Sequence, residues 1–163
     1  MVSDCPVAPN GYSERMSTEA VPVTILRVIP TPTGSGVFLT AEGKIVSIFI
    51  DPMATRALHL ALSGESTPRP LTHELMVSVF GGLGVRLLGV HIYGYEDETF
   101  FARLMLEQEN ELGKNLVEVD ARPSDGMVLA TQLDVPITVD RGVWEQSEDM
   151  SWAIEKFSSE EES

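Results

Sequence analysis

Within residues 45–64, IVSIFIDPMATRALHLALSG, the chain changes from a strand pattern to a helix pattern, and that switch constrains the fold more than any other stretch. Residues 45–50 are almost continuously apolar, and Asp51 and Pro52 follow directly. An aspartate at this place can accept hydrogen bonds from the unpaired N–H groups of a first helical turn, and proline at the first helical position forfeits no bond. Ala54, Ala57, Leu58, Ala61 and Leu62 then recur at helical spacing, and Gly64 is placed to end the run. A helix that begins where a strand stops must turn back and bury its stripe on the sheet. The apolarity of residues 45–50 predicts a strand with both faces covered.

Other segments obey the same two periods. VPVTILRVI and VFLTA, separated by PTPTGSG, read as a strand pair ahead of residues 45–50. PLTHEL announces a second helix, with Thr72 as N-cap and Glu74 in the first turn, where the helix dipole favours an acid; Leu75, Met76, Val79, Phe80 and Leu83 form its apolar stripe. Residues 85–95 and 99–108 predict a long hairpin, and LVEVDA a further strand after the turn ENELGKN. Pro123 opens a helix, PITV is a last short strand, and RGVWEQS begins a terminal helical segment. The order predicts a single α+β domain over 21–144, a largely antiparallel β-sheet with helices packed on it. Residues 1–20 lack any period and read as a flexible arm. Residues 145–163 read as an acidic C-terminal helix or tail, with Met150, Ala153, Ile154 and Phe157 as its one apolar stripe.

Charge narrows the function. Eleven Lys and Arg stand against 25 Asp and Glu, for a net charge of −14. Passive nucleic-acid binders usually carry a basic footprint, because neutralised phosphates release counterions. The balance counts against such a module, and less against an enzyme that approaches phosphate through a divalent cation held by carboxylates. Cys5 is the only cysteine, which excludes an intramolecular disulfide and a cysteine-based zinc site. With no basic and apolar leader at the N-terminus and no run of eighteen apolar residues, a cytoplasmic protein with no membrane partner is expected.

His73 and Glu74 suggest a zinc-protease helix, but that motif needs a second histidine where Val77 stands. Adjacent helical residues point about 100° apart, so at most one of the two should face a ligand. His59 and His91 have no partner at metal-ligand spacing and read as structural. No nucleophile elbow, phosphate loop or dinucleotide fingerprint is present, since GGLG at 81–84 follows a helix. DARPSDG, residues 120–126, is richer. Strand alternation predicts Asp120 and Arg122 on one face, and Pro123 sets Ser124 and Asp125 beside the unpaired N–H groups of a first turn. A carboxylate, a guanidinium and a helix start together make a phosphate or divalent-metal site, or else an internal Asp–Arg ion pair plus a charged N-terminal turn.

RPLTHEL at 69–75 and DARPSDG at 120–126 together resemble the motifs of the bifunctional nuclease domain family, once catalogued as a bacterial domain of unknown function. The resemblance runs from about Val21 to Val143 and includes the TFFA and PITV segments. It implies an α+β fold, a homo-oligomer with a dimer favoured, and cleavage of DNA and RNA that depends on Mg²⁺ or Mn²⁺. It carries the family motifs onto Arg69, Pro70, Thr72, His73, Glu74, Asp120, Arg122, Pro123, Ser124 and Asp125. His73, Glu74, Asp120 and Asp125 become catalytic candidates, with Asp120 and Asp125 as metal ligands and His73 or Glu74 positioning water. Arg69, Arg122, Thr72 and Ser124 become substrate-binding candidates. Two departures stand out. Relatives commonly carry a glutamate where this chain has Ala54, and an alanine where it has Gly126, a change that weakens a helix by about 0.5–1 kcal/mol. The competing reading is a non-catalytic oligomeric interaction or regulatory domain, in which both motifs shape an interface.

Overall fold

In the computed structural model, which describes residues 20–111 and 113–161, a seven-stranded sheet carries its helices as expected for the α+β class. The strands are β1 (Ala20–Thr31), β2 (Gly34–Ala41), β3 (Lys44–Ile50), β4 (Val85–Glu96), β5 (Thr99–Asn110), β6 (Gly113–Ala121) and β7 (Ile137–Asp140). The helices are α1 (Pro52–Ser63), α2 (Thr72–Gly82), α3 (Pro123–Leu133), α4 (Arg141–Gln146) and α5 (Ser151–Glu161). The sheet order is β3-β2-β1-β7-β4-β5-β6, antiparallel except where β7 lies parallel to β4. Two three-stranded meanders are thus joined through the four-residue β7. Among the described residues, no helix is long and apolar enough to cross a membrane. The arm expected over 1–20 lies, Ala20 excepted, outside the described residues.

β1 serves both meanders. Its first residues, Ala20–Val23, pair with β7, and Thr24–Thr31 pair with β2, with a register slip between Ile25 and Arg27. A bulge of this kind bends a strand and sharpens its twist. A cleft lies between β3 and the β4–β5 hairpin.

The helix layer explains the site. α3 is apolar almost all round, with Met127, Val128, Leu129 and Ala130 buried, because it packs on β4 and β5 and has α1 on one flank and α2 on the other. α1 buries Ala54 and Leu58, with Ala57 and Ala61 packed beside them; Leu62, at the end of its predicted stripe, is exposed. Asp51 caps α1 by accepting bonds from the Met53 and Ala54 N–H groups at 2.9 Å each, and Gly64 ends it in the left-handed conformation.

Three expectations are corrected. β3 is not covered on both faces: it is an edge strand whose Val46, Ile48 and Ile50 are buried while Phe49 is 60% exposed. The helix layer reaches only one of its faces. Thr72 is the first residue of α2 and not its cap; Leu71 precedes the helix, and the Glu74 carboxylate reaches back to its N–H at 2.6 Å. The stripe of α2 is also rotated. Met76, Val77 and Phe80 meet the core, whereas Leu75, Val79 and Leu83 are exposed, so the helix has more apolar surface than α3 and the sheet can cover. The acidic C-terminal segment does form a helix: α5 buries Ala153, and the Met150 N–H donates to the Ile45 carbonyl at 2.7 Å.

Candidate functional site

The N-termini of α1 and α3 meet at one guanidinium, and that of α2 joins them through Asp125. Arg122 follows the last residue of β6 and precedes Pro123, which holds it extended at φ −68° and ψ 144°. Its Nε donates to Asp125 Oδ2 at 2.8 Å and its Nη2 to Asp125 Oδ1 at 3.2 Å, while Nη1 donates to Asp51 Oδ2 at 3.0 Å. His73, in the first turn of α2, bonds Asp125 Oδ1 through Nε2 at 2.9 Å. Asp51 caps α1, Asp125 lies in the first turn of α3, and His73 reaches Asp125 from α2. Each helix start offers unpaired N–H groups and a positive dipole end, so acids are favoured there.

The electrostatics follow from these contacts. Burial pushes the Asp125 carboxyl up, but hydrogen bonds from Arg122 and His73 outweigh it and leave the group below the ordinary carboxylate range. Asp51 is also held low, first by the Ala54 N–H, with burial opposing, and then by the Met53 N–H and Arg122. The paired acid Asp125 raises Arg122 above the usual arginine value. An ionised carboxylate only accepts, so Nε2 donates in the bond to Asp125, and the neutral imidazole in this tautomer carries its lone pair on Nδ1. The His73 side chain is 14% exposed, Asp125 29% and Arg122 63%. Arg122 is therefore the member of the cluster most open to solvent.

Not every candidate from the two motifs joins this cluster. Glu74 turns back on its own helix, accepting from the Leu71 N–H and, at 3.3 Å, from the Thr67 hydroxyl. His73 and Glu74 thus diverge, as neighbouring helical positions should. Asp120 accepts from the Tyr93 hydroxyl at 3.1 Å, at a register shift in β4, and Arg103 lies over that tyrosine ring at 3.9 Å. Asp120 and Arg122 do not share a partner because β6 ends at Ala121 and the strand alternation ends with it. Arg69 and Thr72 are exposed before and at the start of α2, and Ser124 is buried in the first turn of α3. His59 is exposed on α1, and His91 bonds the Thr138 hydroxyl at 3.0 Å, with burial pushing its imidazole below the usual histidine range. Asp51 is the member that sequence reasoning assigned only to a cap. It does both: Oδ1 caps the helix and Oδ2 binds Arg122.

The donor set decides what cation the cluster suits. Among the described residues, no three His, Cys, Asp or Glu side chains gather to hold a metal ion, so a closed protein cage is not what the residues offer. Mg²⁺ is often held differently, by one or two carboxylates with water and substrate phosphate completing an octahedron. A carboxylate has about four acceptor positions. Asp125 uses three, for His73 and two arms of Arg122, and Asp51 uses three, for Met53, Ala54 and Arg122. One position remains on each. Arg122 likewise uses three of its five N–H donors and keeps two for an anion.

Beside the cluster lies the cleft between β3 and the hairpin, about 390 Å³ in volume. Phe49 and Asp51 border it on one side, Tyr95 and Phe100 of the hairpin on another, and Arg122 and Ser124 at its base.

Comparison with known proteins agrees with this arrangement of motifs. The family model described as the bifunctional nuclease domain matches residues 37–151, a span that contains Asp51, His73, Arg122 and Asp125. Two curated Mycobacterium tuberculosis proteins, uncharacterized protein Rv1829 of strain ATCC 25618 / H37Rv and uncharacterized protein MT1877 of strain CDC 1551 / Oshkosh, are each 31% identical over 122 residues. Each alignment covers 73% of this chain and 70% of the relative.

Proposed function

The chain belongs to the bifunctional nuclease domain family, and on that premise we propose that it hydrolyses phosphodiester bonds of DNA and RNA at the Arg122 cluster with the help of Mg²⁺ or Mn²⁺. The observation that carries this reading is the guanidinium of Arg122, held by two acids at two helix starts with donors to spare and 63% exposed. Those donors would bind the phosphate and steady the charge that builds on it as water attacks, an interaction that strengthens in the transition state. Asp125 orients His73, whose Nδ1 lone pair would take the proton of the attacking water. Asp125 and Asp51 would hold the divalent cation; bound there, it supplies Lewis-acid stabilisation and lowers the pKa of its water. Asp120, Arg69 and Thr72 lie outside this hydrogen-bonded group and would serve by contacting substrate farther along the strand. Glu74 would act through α2, by fixing the helix start that carries His73.

Highly purified protein should cleave plasmid DNA and RNA when Mg²⁺ or Mn²⁺ is added. Replacing His73 by Asn should lower the rate by about 10²-fold or more, the usual range for a positioned base. Cleavage unaffected by both Asp125→Asn and His73→Asn would place the chemistry elsewhere or in a contaminant.

One observation favours a second reading, a non-catalytic interaction domain. Leu71, Leu75, Val79 and Leu83 recur every fourth residue along α2, and all are exposed. That apolar stripe suits a dimer of this chain, the oligomer we favour, and is compatible with catalysis as well. A dimer that forms normally and cleaves nothing under any divalent metal would select the second reading.

A further inference from the structure

The cleft beside Arg122 has walls that the hydrolytic chemistry does not use. Phe49 stands on β3, at a position where alternation turns it away from the core, and is 60% exposed. Tyr95, 38% exposed, belongs to the hairpin; its ring stacks on that of its cross-strand neighbour Phe100 with centroids 4.4 Å apart and a 35° tilt. Phe100 packs in turn against the hydrophobic core, so the tyrosine ring has a fixed support. The cleft thus carries one aromatic ring from β3 and a supported one from the hairpin, and Arg122 lines it with them. A volume of about 390 Å³ is at the small end of ligand sites, comparable to a single nucleotide rather than a duplex.

We propose that this cleft takes an unpaired nucleobase, stacked on Tyr95 and Phe49, and so directs the chain to single-stranded DNA and RNA. The proposal rests on the nuclease reading for the phosphate that Arg122 would hold. Charge selects the occupant. At −14 the chain gains little from counterion release, the main source of affinity for a duplex backbone. Stacking on an aromatic ring needs no net positive charge and accepts any base, but only a base outside a double helix exposes its face. Glu98 and Asp51, which also line the cleft, disfavour a second phosphate inside it and leave the apolar ring face as the attractive feature. A free apolar ligand would not use Arg122, and an acidic peptide would offer no ring face for Tyr95.

The test is equilibrium binding, read by fluorescence anisotropy of a short labelled oligonucleotide as a single strand and as a hairpin duplex of matching composition. Both are measured in CaCl₂ and again in EDTA. The single strand should bind more tightly. Phe49→Ala and Tyr95→Ala should each weaken it by roughly 5- to 100-fold, the range for loss of one stacked base, and leave duplex affinity unchanged. Phe49 is a surface residue, and circular dichroism of Phe49→Ala verifies that its fold is kept. Equal affinity for strand and duplex, or single-strand affinity unmoved by both substitutions, overturns the proposal. Cleavage assays on the same variants separate the two readings. Aromatic-dependent binding without cleavage sinks the nuclease reading alone; cleavage indifferent to strandedness and to both rings sinks this proposal alone.

Discussion

Replacing Gly126 by alanine tests how closely α3 sits on the sheet, and with it the placement of the adjacent Asp125 and of Arg122 one turn earlier. On helix propensity alone the substitution should stabilise α3 by about 1 kcal/mol. The structure opposes that. A Cβ at residue 126 would lie 2.6 Å from Val90 Cγ1, about 1 Å short of ordinary carbon contact at ~3.5–4.0 Å. Val90 is 1% exposed and stiff at χ1 on a central strand, so it cannot turn aside into solvent. Overpacking of this kind costs about 1–3 kcal/mol. The net expectation for Gly126→Ala is a loss of roughly 0–2 kcal/mol, with the propensity gain already counted. Val90→Ala removes the obstructing methyl, so the double variant should recover about 1–2 kcal/mol relative to the sum of the single changes, well outside the additivity limit of ~0.5 kcal/mol. Urea unfolding of the four proteins provides the measurement. If Gly126→Ala gained the full propensity increment and the cycle were additive, α3 would stand farther from β4 than the structure has it.

Two further outcomes follow from groups near the site. Asp125 and Asp51 are both held below the ordinary carboxylate range, so their contribution to stability is present above the unfolded value near ~3.9 and is lost as pH falls through their lower folded values. Thermal unfolding should therefore steepen its decline in acid below about pH 4, and the Asp51→Asn, Asp125→Asn double variant should show a shallower decline. Ser35 is fully buried and its hydroxyl finds no partner among the described residues, so Ser35→Ala should raise stability by about 1 kcal/mol in urea unfolding; a loss of that size would reveal a bond the hydroxyl makes after all.

The local features of this fold were legible because they are encoded locally. Asp51 and Pro52, Gly64, and Pro123 mark helix ends through backbone chemistry that involves only a few neighbours, and the structure has them in those roles. What depends on distant pairing was not legible. Phe49 reads as covered until β3 is known to be an edge strand, and the place of the four-residue β7 between β1 and β4 is set by partners more than forty residues away. The same division holds at the site. Arg122 and Asp125 are three residues apart and share one turn, so their pairing could be anticipated; Asp51, 71 residues from Arg122, could be read only as a cap. Gly126 shows the limit most plainly, because a residue that weakens its helix is explained by a side chain on β4.

Arg122→Lys is the most direct examination of the central claim. A lysine keeps one positive charge but lacks the planar fork that spans Asp51 and Asp125 and still has donors left for phosphate. Single-turnover cleavage of a single-stranded RNA in Mg²⁺ should fall by roughly 10²- to 10³-fold, as for loss of an oriented transition-state donor, while the unfolding midpoint shifts little because the arginine is exposed. Full cleavage by Arg122→Lys, with the wild-type dependence on Mg²⁺, would contradict the account.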